Sequence, residues 1–168
     1  MNNMLKLAVY GVLSVLLLLT SCSSKPEGIH VIMFSDMKAD LQEKIKDAAS
    51  GKGAEADIFP VLPEKLLVEI TAQEGDLFIV PEEMFHTYDD PENFQLLDEL
   101  SGEKRGPYTI LNQETREKTD YAILIEKGEK RLNGCSFRLN RNMVAFIPAY
   151  SEKTKEALEL ITQLKEVR

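Results

Sequence analysis

The chain has 168 residues, 43% of them hydrophobic and 29% charged, with a formal net charge of -8. That composition excludes a disordered or collagen-like chain and is sized for one domain with a short leader. The acidity excludes nucleic acid as a partner, because phosphate binding relies on Lys and Arg to neutralise the backbone and release counterions.

At the N-terminus Lys6 is the only charged side chain before Lys25, and an apolar run from Leu7 to Leu19 follows it. As a helix this run spans about 20 Å, short of the roughly 30 Å hydrocarbon core, so it reads as the apolar core of a signal peptide and not as a membrane span. Leu19-Thr20-Ser21-Cys22 comes next. This segment resembles the lipobox of bacterial lipoproteins, which implies cleavage before Cys22 and a diacylglyceryl group on its sulfur. Two acyl chains make a stable anchor where one does not. The resulting division is a signal peptide over 1–21, a lipidated Cys and linker over 22–28, and one domain over 29–168. The resemblance places that domain outside the cytoplasm, held to the cell membrane by lipid.

Within the domain, Ile29 to Phe34 is an apolar strand ending at Ser35 and Asp36, residues able to cap a helix. Leu41, Ile45, Ala48 and Ala49 recur at helical spacing, and Gly51-Lys52-Gly53 ends the pattern. Ala56 to Leu62 is the next strand, and Pro63 opens a second helix with Leu66, Leu67 and Ile70 on one face. The turn Glu74-Gly75-Asp76 leads into a strand, Leu77 to Val80, stopped by Pro81. Glu82 to Phe85 and Phe94 to Leu100 read as short helical pieces, Tyr121 to Ile125 as a strand, and Lys127 to Gly134 as turn-rich. Cys135 to Leu139 and Met143 to Ile147 flank Asn140-Arg141-Asn142 as a hairpin. Ser151 caps a final helix with Ala157, Leu158, Ile161, Leu164 and Arg168 on one face. Near-continuous apolar strands alternating with helices predict an α/β domain: a mostly parallel sheet, helices on both faces, and a C-terminal hairpin plus helix.

Two segments resemble a known family. Pro63 to Ile70, the turn at Gly75 and Leu77 to Phe85 look like the first lobe of the extracellular solute-binding proteins of ABC importers. Met143 to Ser151 with the helix after it is similar to that lobe's returning strand and Ser-capped helix. Such receptors have two lobes, and the chain after Cys22 is short for both. The resemblance therefore implies a reduced, single-lobe relative.

Open α/β sheets bind ligands beyond the C-terminal ends of their strands. This points to Ser35 and Asp36, Phe59 and Pro60, and Pro81, Glu82 and Glu83 as ligand-binding residues. A metal site is conceivable at His86, which shares a helical face with Glu82 and Glu83 and lies near Asp89 and Asp90, although a solvated acidic loop accounts for the same pattern. Phe85, Tyr88 and Tyr108 fall in loop-rich regions where they could line a cleft. Cys135 stands in an alternating strand as a small buried side chain, and His30 reads as a packed residue with one nitrogen satisfied. No catalytic residue is assigned: neither His has a nucleophile in its sequence context. No cofactor is expected. Between Glu82 and Glu103 there are eight acidic residues and no Lys or Arg, a segregation that can steer a charged partner. The sequence reading is a non-catalytic binding or partner-docking module facing a membrane protein. Its alternatives are a small-solute receptor of an importer and a metal-binding lipoprotein.

Overall fold

Apart from His30, every side chain in Ile29–Phe34 (β1) is apolar and buried. The computed structural model describes residues 28–97 and 106–165. The leader, the lipobox with Cys22, residues 98–105 and Arg168 lie outside the described residues. Helix α1 (Ala39–Ser50) buries Ile45, Ala48 and Ala49 and ends at Gly51, as its spacing requires. Lys38 precedes it without a side-chain cap, so Ser35 and Asp36 are not capping residues. Strand β2 (Ala54–Phe59) begins earlier than predicted, because Glu55 and Asp57 occupy one face of an edge strand while Ala54, Ala56 and Ile58 pack inward. Helix α2 (Pro63–Ala72) starts at Pro63 and stops at Gln73, whose φ is 57°. Only Leu66 of its expected face is deeply buried; Leu67 and Val68 are exposed.

Strand β3 (Leu77–Pro81) is buried throughout and runs directly into a one-turn helix, α3 (Glu82–Phe85). After a 3-10 turn at Pro91–Asn93, the described part of the predicted helix, residues 94–97, is not helical. Phe94 instead bridges Pro148, and Gln95 N–H donates to Ile147 O at 2.8 Å, because this segment borrows its backbone partners from the strand end nearby. A small antiparallel pair, β4 (Thr109–Leu111) and β5 (Lys118–Asp120), precedes β6 (Ile123–Ile125). Strands β7 (Gly128–Leu132) and β8 (Cys135–Leu139) follow, then β9 (Met143–Phe146) and helix α4 (Thr154–Lys165). Ser151 stands ahead of α4 in a local turn, its Oγ accepting from Lys153 N–H at 3.2 Å.

The main sheet has the order β2-β1-β3-β9-β6. Pairings β1–β2 and β1–β3 are parallel, whereas β3–β9 and β6–β9 are antiparallel, so the sheet is mixed and not mostly parallel. The physical reason is that β9 is buried on both faces like a parallel strand, so its composition carries no sign of its direction. The expected hairpin through Asn140-Arg141-Asn142 is also replaced. β8 pairs with β7, a strand inside the segment read as turns, and β9 joins the main sheet. Asn133 at φ 45° and Gly134 at φ 83° supply the left-handed pair that a tight two-residue hairpin needs.

Alternation along the strands builds a core on each face. Val31, Met33, Leu77, Ile79 and Ala145 point to an aliphatic layer under α1, α4 and the β7–β8 hairpin. Ile32, Phe34, Phe78, Val144 and Phe146 point to an aromatic layer with Leu66 of α2, Met84 and Phe85 of α3, Tyr108 and Tyr121. Phe78 and Phe146, cross-strand neighbours, stack with centroids 5.3 Å apart. Helices therefore cover both faces, as expected for strands apolar on both sides.

Candidate functional site

From β1 the chain crosses to β2 on one side, and from β2 it crosses back over β1 to β3. Consecutive connections thus leave the C-terminal ends of β1 and β3 in opposite directions and open a gap between them. A cavity of about 70 Å³ occupies that gap. Phe34, Ser35 and Asp36 line it from the end of β1, Pro81 from β3, and Arg138 to Arg141 from the end of β8 and the loop after it.

Its rim is held by charge. Arg141 Nη1 donates to Glu83 Oε1 at 2.6 Å, and its Nη2 lies 3.9 Å from Asp36 Oδ2. The guanidinium is 47% exposed and both carboxylates 61%, so water screens these pairs and they add little stability. Their effect is positional: one cation joins the end of β1, helix α3 and the β8–β9 loop across the mouth. Asp36 Oδ1 also accepts from Val61 N–H at 3.4 Å, fixing the loop before α2. Arg138 pairs with Glu129 at 3.3 Å on the exposed face of the β7–β8 hairpin.

Glu82 is turned to a different task. Its Oε2 accepts from Asn142 Nδ2 at 2.9 Å and its Oε1 from the Tyr108 hydroxyl at 2.8 Å. These two hydrogen bonds, the Asn142 one first, hold its carboxyl below the usual carboxylate value, against the opposing effect of burial. Glu82 is thereby a fixed acceptor clamping α3 to the core.

Of the residues expected at a ligand site, Ser35, Asp36 and Pro81 line the cavity and Glu83 stands on its rim through Arg141. Phe59 and Pro60 are not among the lining residues; Phe59 packs against Phe34, with the Lys65 ammonium 4.4 Å from its ring centroid. The carboxylates around His86 are dispersed. Asp89 accepts from the Tyr121 hydroxyl at 2.9 Å, and Asp90 caps the 3-10 turn through Glu92 N–H. Among the described residues no group of three or more His, Cys, Asp or Glu is placed to hold a metal ion. Phe85 and Tyr108 are buried in the aromatic layer and not in a cleft. Tyr88 is partly buried against the same layer, its hydroxyl donating to Pro63 O at 2.8 Å. Cys135 is partly exposed and packs on the aliphatic layer. His30 has both ring nitrogens engaged, by Glu74 O and by Asp57 Oδ2, and its backbone N–H donates to Asp76 Oδ2 at 3.0 Å.

The residues missed from sequence are Arg138, Asn140 and Arg141. The sequence reading places Arg138 in a strand and Asn140 and Arg141 in a hairpin loop, whereas a change of sheet between β8 and β9 brings them over the strand ends. The Asn133-Gly134 dipeptide was the available signal, since it marks the true hairpin and frees the later loop for this role.

A protein of Bacillus subtilis (strain 168) that bears the name "Putative lipoprotein YteS" is 61% identical to this chain over 168 residues, which is 100% of both. No protein-family model matches the chain. No solved structure matches it either.

Proposed function

The chain belongs to the family of the lipoprotein YteS, and on that premise we propose that it is an extracytoplasmic lipoprotein, anchored through lipid on Cys22, that works by binding and not by catalysis. The observation that carries the anchoring is the 61% identity with a protein named as a lipoprotein, over a match that spans the whole of both chains. The binding role draws its support from the cavity at the switch point, with Ser35, Asp36 and Arg141 around it. The strand of the second resembling segment, β9, lies in the main sheet between β3 and β6.

Six linker residues from Cys22 to Gly28 reach at most about 20 Å, and they enter at the start of β1. The cavity lies at the other end of that strand from the linker.

Replacing Cys22 with Ser tests the anchoring: the protein is expected to leave the membrane fraction for the aqueous phase in a detergent partition. Retention of the variant in the detergent phase refutes lipidation at this residue. For the binding role, backbone amide shifts of Ser35, Asp36 and Arg141 during titration with sugars, amino acids and short peptides are the measure. Binding is expected to be weak, at roughly 1 mM, because a single lobe covers one side of a ligand. Unmoved amides at these three positions with every solute and with a membrane extract count against the cleft.

A further inference from the structure

We propose that the cleft opens inward onto an apolar chamber and that its ligand is a small amphiphile, an aliphatic chain of a few carbons ending in a carboxylate. The inference rests on reading the cleft as the binding site and names the chemistry it takes.

Behind the cleft, between the main sheet and the β7–β8 hairpin, is a second cavity of about 40 Å³ whose lining residues are all apolar. Val31, Met33 and Ile79 form its floor, Leu160 of α4 one wall, and Leu132 and Phe137 its roof. Leu139 lines both this chamber and the polar cleft, so its side chain stands where the two approach each other. The hairpin that carries Leu139 pairs only with itself among the described strands, so no backbone hydrogen bond ties the roof to the floor.

The two compartments ask for opposite chemistry. An apolar chamber offers water no partners, and its empty space leaves the lining atoms without dispersion contacts. A hydrocarbon supplies those contacts and buries no polar group. At the mouth, the planar fork of Arg141 matches a carboxylate, which it can bind through two parallel hydrogen bonds. Its present partners, Glu83 and Asp36, form exposed, water-screened pairs, so a ligand carboxylate can compete with them for the guanidinium. A polar head on Arg141 with a tail displacing or passing Leu139 satisfies both.

The test uses the full chain, labelled at Ile, Leu and Val methyls, titrated with xenon, hexanoate and hexanol and followed by NMR. Xenon, which reads the chamber alone, is expected to shift the methyls of Ile79, Leu132 and Leu160. Hexanoate is expected to shift the same methyls together with the Ser35 and Asp36 amides, and to bind about five-fold tighter than hexanol, the worth of one partly exposed ion pair. Arg141→Gln should erase the preference for hexanoate and leave the xenon response. Ala49→Leu fills the chamber and should abolish the xenon response; Ala56→Val is the milder filling variant should the first not fold. Absence of xenon shifts at these methyls in the unsubstituted protein overturns the inference, as does equal binding of hexanoate and hexanol. Shifts of Ser35 and Asp36 with a tail-less solute, and none with hexanoate, overturn the amphiphile while leaving the cleft a binding site.

Discussion

The hydroxyl of Tyr108 donates to Oε1 of Glu82 at 2.8 Å, joining the first residue of α3 to a buried ring 26 positions further along the chain. The same ring meets Phe85 edge-on at 5.0 Å between centroids, so α3 is gripped at both its polar and its apolar side. Removing the hydroxyl leaves a carboxylate with only Asn142 and water. Tyr108→Phe is expected to cost about 1 to 2 kcal/mol in urea unfolding, the usual worth of a hydrogen bond to a charged group after solvent screening. A change of less than about 0.5 kcal/mol, typical of surface substitutions, means that Glu82 is held adequately by Asn142 alone.

Titration should show the same contacts from another side. Burial, then the hydrogen bond to Asp89, pushes the Tyr121 hydroxyl up to about 12. Burial, then Glu82, raises Tyr108 from its ordinary 10.0, and burial with Asp76 raises Tyr150. A hydroxyl whose proton is held more tightly in the folded state stabilises the fold fully below its unfolded value and loses that contribution as pH rises through it. Stability is therefore expected to decline between about pH 10 and 12. Glu82 works in the reverse sense: its lowered value stabilises the fold above the ordinary carboxylate range, and that contribution disappears as pH falls through the depressed value. Urea midpoints across the pH range check both limbs. The alkaline decline should be smaller in Tyr121→Phe; an identical decline in that variant removes Tyr121 from the explanation.

At the hairpin turn, Gly134 has a φ of 83°, a conformation costly for a side chain branched at Cβ. Gly134→Val is expected to destabilise the protein by about 1 to 3 kcal/mol. Because the roof of the apolar chamber hangs from this turn, hydrogen exchange should quicken first at Leu132 and Phe137. Exchange that quickens evenly over the whole molecule contradicts a locally closed hairpin.

Helix α4 covers the aliphatic layer with Ala157, Leu158, Leu160, Ile161 and Leu164. Leu158→Ala is expected to cost about 2 to 5 kcal/mol, through lost burial and the cavity left behind. Thermal and urea unfolding should agree on the loss; a neutral result means that α4 lies loosely on the sheet.

Much of this was legible in the residues wherever the deciding physics is local. β1 is marked by its apolar run, α1 by the spacing of Ile45, Ala48 and Ala49, and the start of α2 by Pro63. The placement of Ser35, Asp36 and Pro81 at the cavity was also legible, because it depends only on those residues following strands. Strand direction was not: β9 reads the same parallel or antiparallel, and only its partners across the sheet decide. Arg141 escaped for a related reason, since Glu83 is 58 positions away in sequence and only the tertiary fold brings them together. Leu67 shows the converse, an apolar residue at helical spacing that faces solvent because α2 presents a narrower face to the sheet than its composition suggests.

The place of β9 in the main sheet sets an order of events in folding. β6 has no neighbour there except β9, and Phe78 of β3 waits for Phe146. The two parallel pairs can align early, but the sheet closes only after nearly the whole chain is available, and such long-range closure is slow. Synthesis alone therefore leaves the emerging polypeptide without a finished sheet until its last strand is made. On the export route proposed above, that delay is useful, because a thread without a closed sheet can still pass through a membrane channel, and its final strand arrives to complete the fold on the other side.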